Sequence, residues 1–185
     1  MSPPTPWAKV AIIPVGGLVA VGFSPDTDLL LVISHSGAGV IDCRTGRRIA
    51  RNPAPHYPDD ANICRGIPPL QDQLIAVAGL WGGSLPPETH DGWHVVSERV
   101  DKITSLHLTN AVTSAQIADD RIVDIRAFGF SPTGLSLIVA TAADLLILGR
   151  SPADDGDAME MEVQRAGEAL FQTLDEEESR PFSDR

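Results

Sequence analysis

The chain has 185 residues, 43% of them hydrophobic and 21% charged, an ordinary globular composition with length enough for one domain and a buried core. No apolar run is long enough to cross a bilayer as a helix, the opening "MSPPTPWAK" lacks the features of a secretory signal, and the two cysteines, Cys43 and Cys64, suggest neither a disulfide framework nor a zinc site, so a cytoplasmic protein without membrane contact is expected. The net charge of −11 is unevenly held, with 11 acids against 3 bases in residues 151–185 and 14 against 11 in residues 1–150, which argues against nucleic-acid binding and favours a basic protein partner.

From Lys9 to Arg150 short β-branched runs alternate with Gly, Pro, Asp and Asn, the rhythm of an all-β fold. "AKVAIIPV" (8–15) is a strand available to complete another unit. "LVAVGF" (18–23) is a strand, and "SPDTD" a turn in which Pro25 fixes φ while Asp26 and Asp28 bond nearby amides. "LLLVIS" (29–34) is apolar on both faces, as a central strand must be. "HSGAG" turns the chain into "VIDC", and "RTGR" forms a hairpin into "RIAR", giving four strands in one antiparallel meander. A degenerate unit follows, with "LIAVAG" (74–79) as its strand and "GWHVVSERV" and "ITSLHLT" as later ones. "DIRAFGF", "SPTG", "LSLIVAT", "AAD" and "LLILGR" (124–150) then repeat the first meander. Val32, Ile33, Ile75, Val77, Ile138 and Val139 are the expected core of the central strands, and Phe23 and Phe130 are equivalent core residues of the two copies.

After Arg150 the grammar changes. "SPADDGD" reads as an acidic linker, and Met159, Val163, Ala166, Leu170 and Leu174 form one apolar stripe on an amphipathic helix that frays in "DEEESRPFSDR". The expected layout is a β-repeat domain over 1–150, then linker, helix and tail over 151–185. The acidic tail serves either solubility or attraction of a basic partner.

"VGFSPDTDLLLV", "VIDCRTGRRIAR" and "FGFSPTGLSLIV" resemble the blades of WD-repeat and related bacterial β-propellers. In that family a "v.FSPdG..l" segment precedes the buried strand and "viD..tG..i.r" closes the blade. The resemblance implies propeller-blade-like repeats. The chain has no Trp-Asp closing pair and room for three or four units, whereas a closed ring usually needs at least four. A compact sandwich or open barrel is therefore the alternative arrangement.

Signatures of catalysis are missing. No phosphate loop, dinucleotide fingerprint, nucleophile elbow or zinc helix occurs, so no catalytic residue or cofactor is assigned. "PVGGL" lacks the lysine or third glycine of a phosphate cradle and reads as a tight turn. Ser34, His35 and Ser36 set a base beside two hydroxyls, but neighbours along a strand point in different directions. In "PETHDGWH", His90, Asp91 and His94 offer donors that suit a divalent metal, and His56, Asp59 and Asp60 in "PHYPDD" are the remote candidates to complete the set. Surface loops without metal are the simpler reading. Trp81 and Trp93 flank this region as recognition anchors, with core packing the commoner fate of Trp93. Arg44, Arg47, Arg48 and Arg51 are expected to alternate between faces as a solvated edge that guards the sheet against aggregation.

The expected function is a non-enzymatic protein-binding module, in concrete form a cytoplasmic immunity protein or inhibitor that neutralises a basic toxin or enzyme. Trp81, His90, Asp91, Trp93 and His94 are its candidate contact residues. The alternatives are a subunit or scaffold of a larger propeller-like assembly and, less favoured, a metal-dependent enzyme built on the His90/Asp91/His94 loop.

Overall fold

The computed structural model describes residues 2–101, 103–119 and 124–151, and the helix expected over 159–174 lies outside them. The described residues are all-β, with antiparallel pairing and no helix. The strands in chain order are β1 (Ala8–Pro14), β2 (Leu18–Phe23), β3 (Leu29–Ser34), β4 (Gly37–Asp42), β5 (Arg47–Asn52), β6 (Ile63–Arg65) and β7 (Leu74–Ala76). They continue as β8 (Ala78–Gly79), β9 (His94–Val100), β10 (Ile103–Thr109), β11 (Ser114–Asp119), β12 (Ile125–Phe130), β13 (Ser136–Thr141) and β14 (Asp144–Gly149).

The two copies of the sequence repeat fold alike, down to their irregularities. β2 pairs with β3 through a bulge between Leu18 and Ala20, and β12 pairs with β13 through a bulge between Ile125 and Ala127. Phe23 stands opposite Leu30, and Phe130 opposite Leu137. Each Ser-Pro turn is closed by the same backbone bond, Ser24 N–H to Leu29 O and Ser131 N–H to Ser136 O, both 2.8 Å. The hairpin after β4 shows why "DCRTG" makes a turn. Asp42 accepts the Arg44 amide at 2.9 Å and the Thr45 hydroxyl at 2.8 Å, and Gly46 adopts φ +69°, a conformation that suits glycine.

The copies differ in their fourth strand. The first sheet runs β5-β4-β3-β2-β8, whereas the last runs β1-β14-β13-β12. "AKVAIIPV" thus supplies the outer strand of the last sheet, with Ala8 opposite Gly149 and Pro14 opposite Asp144.

Three buried clusters explain the two-faced apolar strands. Leu30, Val32 and Ile41 of the first sheet pack with Ile138, Leu145 and Ile147 of the last. The opposite face of the first sheet places Leu31, Ile33 and Val40 against Ile75, Val77 and Cys64. The opposite face of the last sheet places Phe130, Leu137 and Val139 against Trp93, Leu106, Leu108 and Trp7. The six residues expected in the central core are all buried. Phe23 and Phe130 are buried too, each facing the sheet that contains the strand preceding its own copy.

The middle of the chain departs from the expected unit. "LIAVAG" is not one central strand: β7 pairs with β6, while β8 crosses to the edge of β2. The change of partner falls at Val77, whose N–H bonds Asn62 O at 2.9 Å. Gly79 permits the crossing, because a Cβ there would stand 2.1 Å from Val19 O. β9 and β10 form their own three-stranded sheet with β11, which completes the β11-β10-β9 order.

Candidate functional site

The loop before β9 is tied by Thr89, whose hydroxyl accepts the Trp93 amide at 3.0 Å and whose own amide donates to Trp93 O at 2.8 Å. Gly92 makes the turn possible at φ +88°. This closure sends Trp93 inward, where it is 4% exposed and meets Trp7 edge to face at 5.9 Å. Trp93 therefore packs the core and offers no surface to a partner.

Asp91 is occupied as well. Both of its oxygens receive the Arg150 guanidinium, Nη2 at 2.8 Å and Nη1 in a second, parallel bond. The Arg150 side chain is 1% exposed, and its Nε–H donates to Gly134 O at 2.9 Å. Its Cζ lies 5.1 Å from the Trp7 ring centroid, a cation–π contact. Burial raises the Asp91 pKa, but hydrogen bonds from Arg150 and Thr89 and the Arg150 charge outweigh it and hold the carboxyl at about 2.

The polar loops do not assemble a metal centre. His90 and His94 are exposed, and His94 Nδ1 lies 3.4 Å from Glu88 Oε2. In the other loop, His56 Nε2–H donates to Arg65 O at 2.6 Å, and Asp59 Oδ1 accepts the Ala61 and Ile63 amides. Among the described residues, no group of three or more His, Cys, Asp or Glu is placed to hold an ion.

The arginines of the first unit fall into two sets. Arg44 is a structural clamp, since its Nη1 donates to Leu135 O and to Arg150 O, each at 2.8 Å. Arg47, Arg48 and Arg51 lie exposed on β5, an edge strand. They do not simply alternate. A bulge in β5 sets Arg48 opposite Ile41, Ala50 opposite Val40 and Arg51 opposite Gly39, which brings Arg48 and Arg51 to one face.

Trp81 remains at the surface, 54% exposed, beside a residue that the polar-loop reasoning passed over. Tyr57, 51% exposed, meets it edge to face at 5.9 Å. Trp81 sits at the tip of a tight turn made by reciprocal bonds between Gly79 and Gly82, with φ +106° at Gly82 and φ +80° at Gly83. The β6–β7 ribbon adjoins this turn through Asn62, whose Nδ2 would lie 3.8 Å from a Cβ on Gly82. On the outward face of the ribbon Ile63 stands opposite Ala76 and Arg65 opposite Leu74, while Cys64 and Ile75 point into the core. Exposed Asp59, Asp60 and Asp72 flank it, and residues 52–100 as a whole carry six acids against two bases. Within "PHYPDD" it is Tyr57, between His56 and Asp59, that reaches this surface.

No protein-family model matches the chain, and no curated protein matches it.

Proposed function

We propose that the protein is a non-enzymatic binding module whose contact surface is the Trp81–Tyr57 pair with Leu80, Ile63 and Leu74 around it. The observation that carries this reading is two large aromatic side chains, each about half exposed and packed edge to face, one of them, Trp81, on a glycine-bounded turn. Aromatic side chains with a polar handle dominate binding energy at protein interfaces, and packing the two rings against each other, with Trp81 fixed on its turn, lowers the ordering cost on association. The acidic flank and the net charge of −11 support a basic partner, of which a basic enzyme or toxin held inactive is the concrete form. The repeats serve as the scaffold and are read as propeller-like blades. Their common register and the pairing of β1 with β14 support that reading.

The test is affinity capture with the wild-type chain, a Trp81→Ala/Tyr57→Ala double variant and an Ile12→Ala control as parallel baits. A basic protein held by the wild type and the control and lost with the double variant is expected. Capture that ignores the double substitution, or that brings down only acidic proteins, overturns the proposal.

A further inference from the structure

Beside β5 lies a cleft of about 250 Å3 that the binding surface above does not use. The turn after β1 and the β3–β4 hairpin form its walls, and Arg48, Arg51 and Ser36 stand on its lining. The β5 bulge is what makes it basic. Side chains three apart on a regular strand face opposite ways, but the extra residue returns Arg51 to the face of Arg48. Gly39, opposite Arg51, has no side chain to fill the space between them.

The donors in the cleft are uncommitted. Neither Arg48 nor Arg51 has a carboxylate partner among the described residues. Ser34 is used by the hairpin, donating to Gly37 O at 3.1 Å and accepting the Ser36 amide at 3.2 Å. The Ser36 side chain is exposed, and its hydroxyl has no partner among the described residues. Two guanidinium forks and a hydroxyl provide more donors than the two oxygens of a monocarboxylate accept. They match the three oxygens and double charge of a phosphomonoester. Val32 and Ile41 line the deeper part, where a small organic group would rest. The volume falls below the usual range for drug-sized ligands, which fits a small metabolite.

We propose that this cleft binds a small phosphorylated molecule, with the phosphate between Arg48 and Arg51. The test is calorimetric titration of the full chain with glycerol 3-phosphate and inorganic phosphate, against glycerol and acetate, at constant ionic strength. Saturable binding of the phosphate compounds alone is expected, weakened about tenfold or more by Arg48→Gln or Arg51→Gln and unchanged by Arg47→Gln, whose partner Asp42 lies on the other face. All three arginines are exposed, so the variants are expected to melt like the parent. Binding absent, equal for acetate, or indifferent to Arg48 and Arg51 overturns the proposal. A single-stranded oligonucleotide that displaces glycerol 3-phosphate and binds more tightly also overturns it, since the ligand would then be a polymer.

Discussion

Cys43 and Arg150 occupy the same place in the two repeats, just after the strand that follows the central one. Cys43 N–H bonds Asp28 O at 3.0 Å, and Arg150 N–H bonds Leu135 O at 3.1 Å. Both side chains are buried, yet one is a thiol in an apolar cluster and the other a cation in a network of acceptors. Burial pushes the Cys43 thiol far above its ordinary pKa, with Asp28 and Asp42 adding to the effect, so it is an inert packing group. Arg150 instead joins the Asp91 loop, the second Ser-Pro turn and Trp7. The backbone bonds are what repeats; the side chain at each place answers to its neighbours.

The turns show the same division. Thr133 in the last repeat donates its hydroxyl to both oxygens of Asp28, each at 2.9 Å, and receives the Leu135 amide at 3.1 Å. Asp26, its counterpart in the first repeat, is exposed. Ser131 Oγ takes the Ser136 amide at 3.1 Å, whereas Ser24 Oγ is buried with no partner among the described residues. The two turns therefore share a backbone and divide the labour of holding the repeats together.

The largest test of this comparison is truncation of the equivalent phenylalanines. Phe130→Ala is expected to cost about 4–5 kcal/mol, because the ring is wholly buried against Trp7, and Phe23→Ala about 3 kcal/mol. Urea unfolding measures both, and equal midpoints for the two variants and the parent would remove the repeat from the account of stability. Next comes Arg150→Met, which strands the Asp91 carboxylate and Gly134 O and is expected to cost about 3 kcal/mol. Cys43→Ala, at the equivalent place, removes only a small apolar group, for about 1 kcal/mol.

Thr133→Val sharpens the comparison at the turns. It leaves the nearly buried Asp28 carboxylate without that donor, for about 1–2 kcal/mol, while Asp26→Val on the first turn is expected to be near neutral. Acid unfolding gives a smaller signal still. The folded pKa of Asp91 lies below its unfolded value, so its contribution is complete above about pH 4 and is lost as pH falls toward about 2. The Asp91 side chain is 27% exposed and solvent screens the pair, leaving about 1 kcal/mol, which Arg150→Met abolishes. Trp81→Ala, outside both repeats, should change the melting free energy by no more than about 0.5 kcal/mol.

Much of this architecture was legible in the residues. Strands β2–β5 and β12–β14 announce themselves because Pro, Asp and Gly mark their turns and their central runs are apolar on both faces. The middle was less so. Hydrophobic periodicity reports which side chains are buried and is silent about pairing, so "LIAVAG" conceals the switch of partner at Val77. "SAQIAD" is too polar to stand out, although it forms β11. The surface was legible only in part. Trp81 and Trp93 lie in one Gly- and Pro-rich stretch, and Thr89, through its bonds across the turn, decides that Trp93 goes inward. The arginine cleft depends on a one-residue bulge, which alternation cannot foresee.

The pairing of β1 with β14 sets an order on assembly. Ala8 leaves the ribosome long before Gly149, the residue it stands opposite, so the last sheet cannot gain its outer strand until the rest of the body has been synthesised. Until then β1 has no ladder to join, and the loop closed by this contact spans almost the whole domain. Such long-range closure raises contact order and slows folding, and it leaves β1 unpaired and open to foreign strands in the interval.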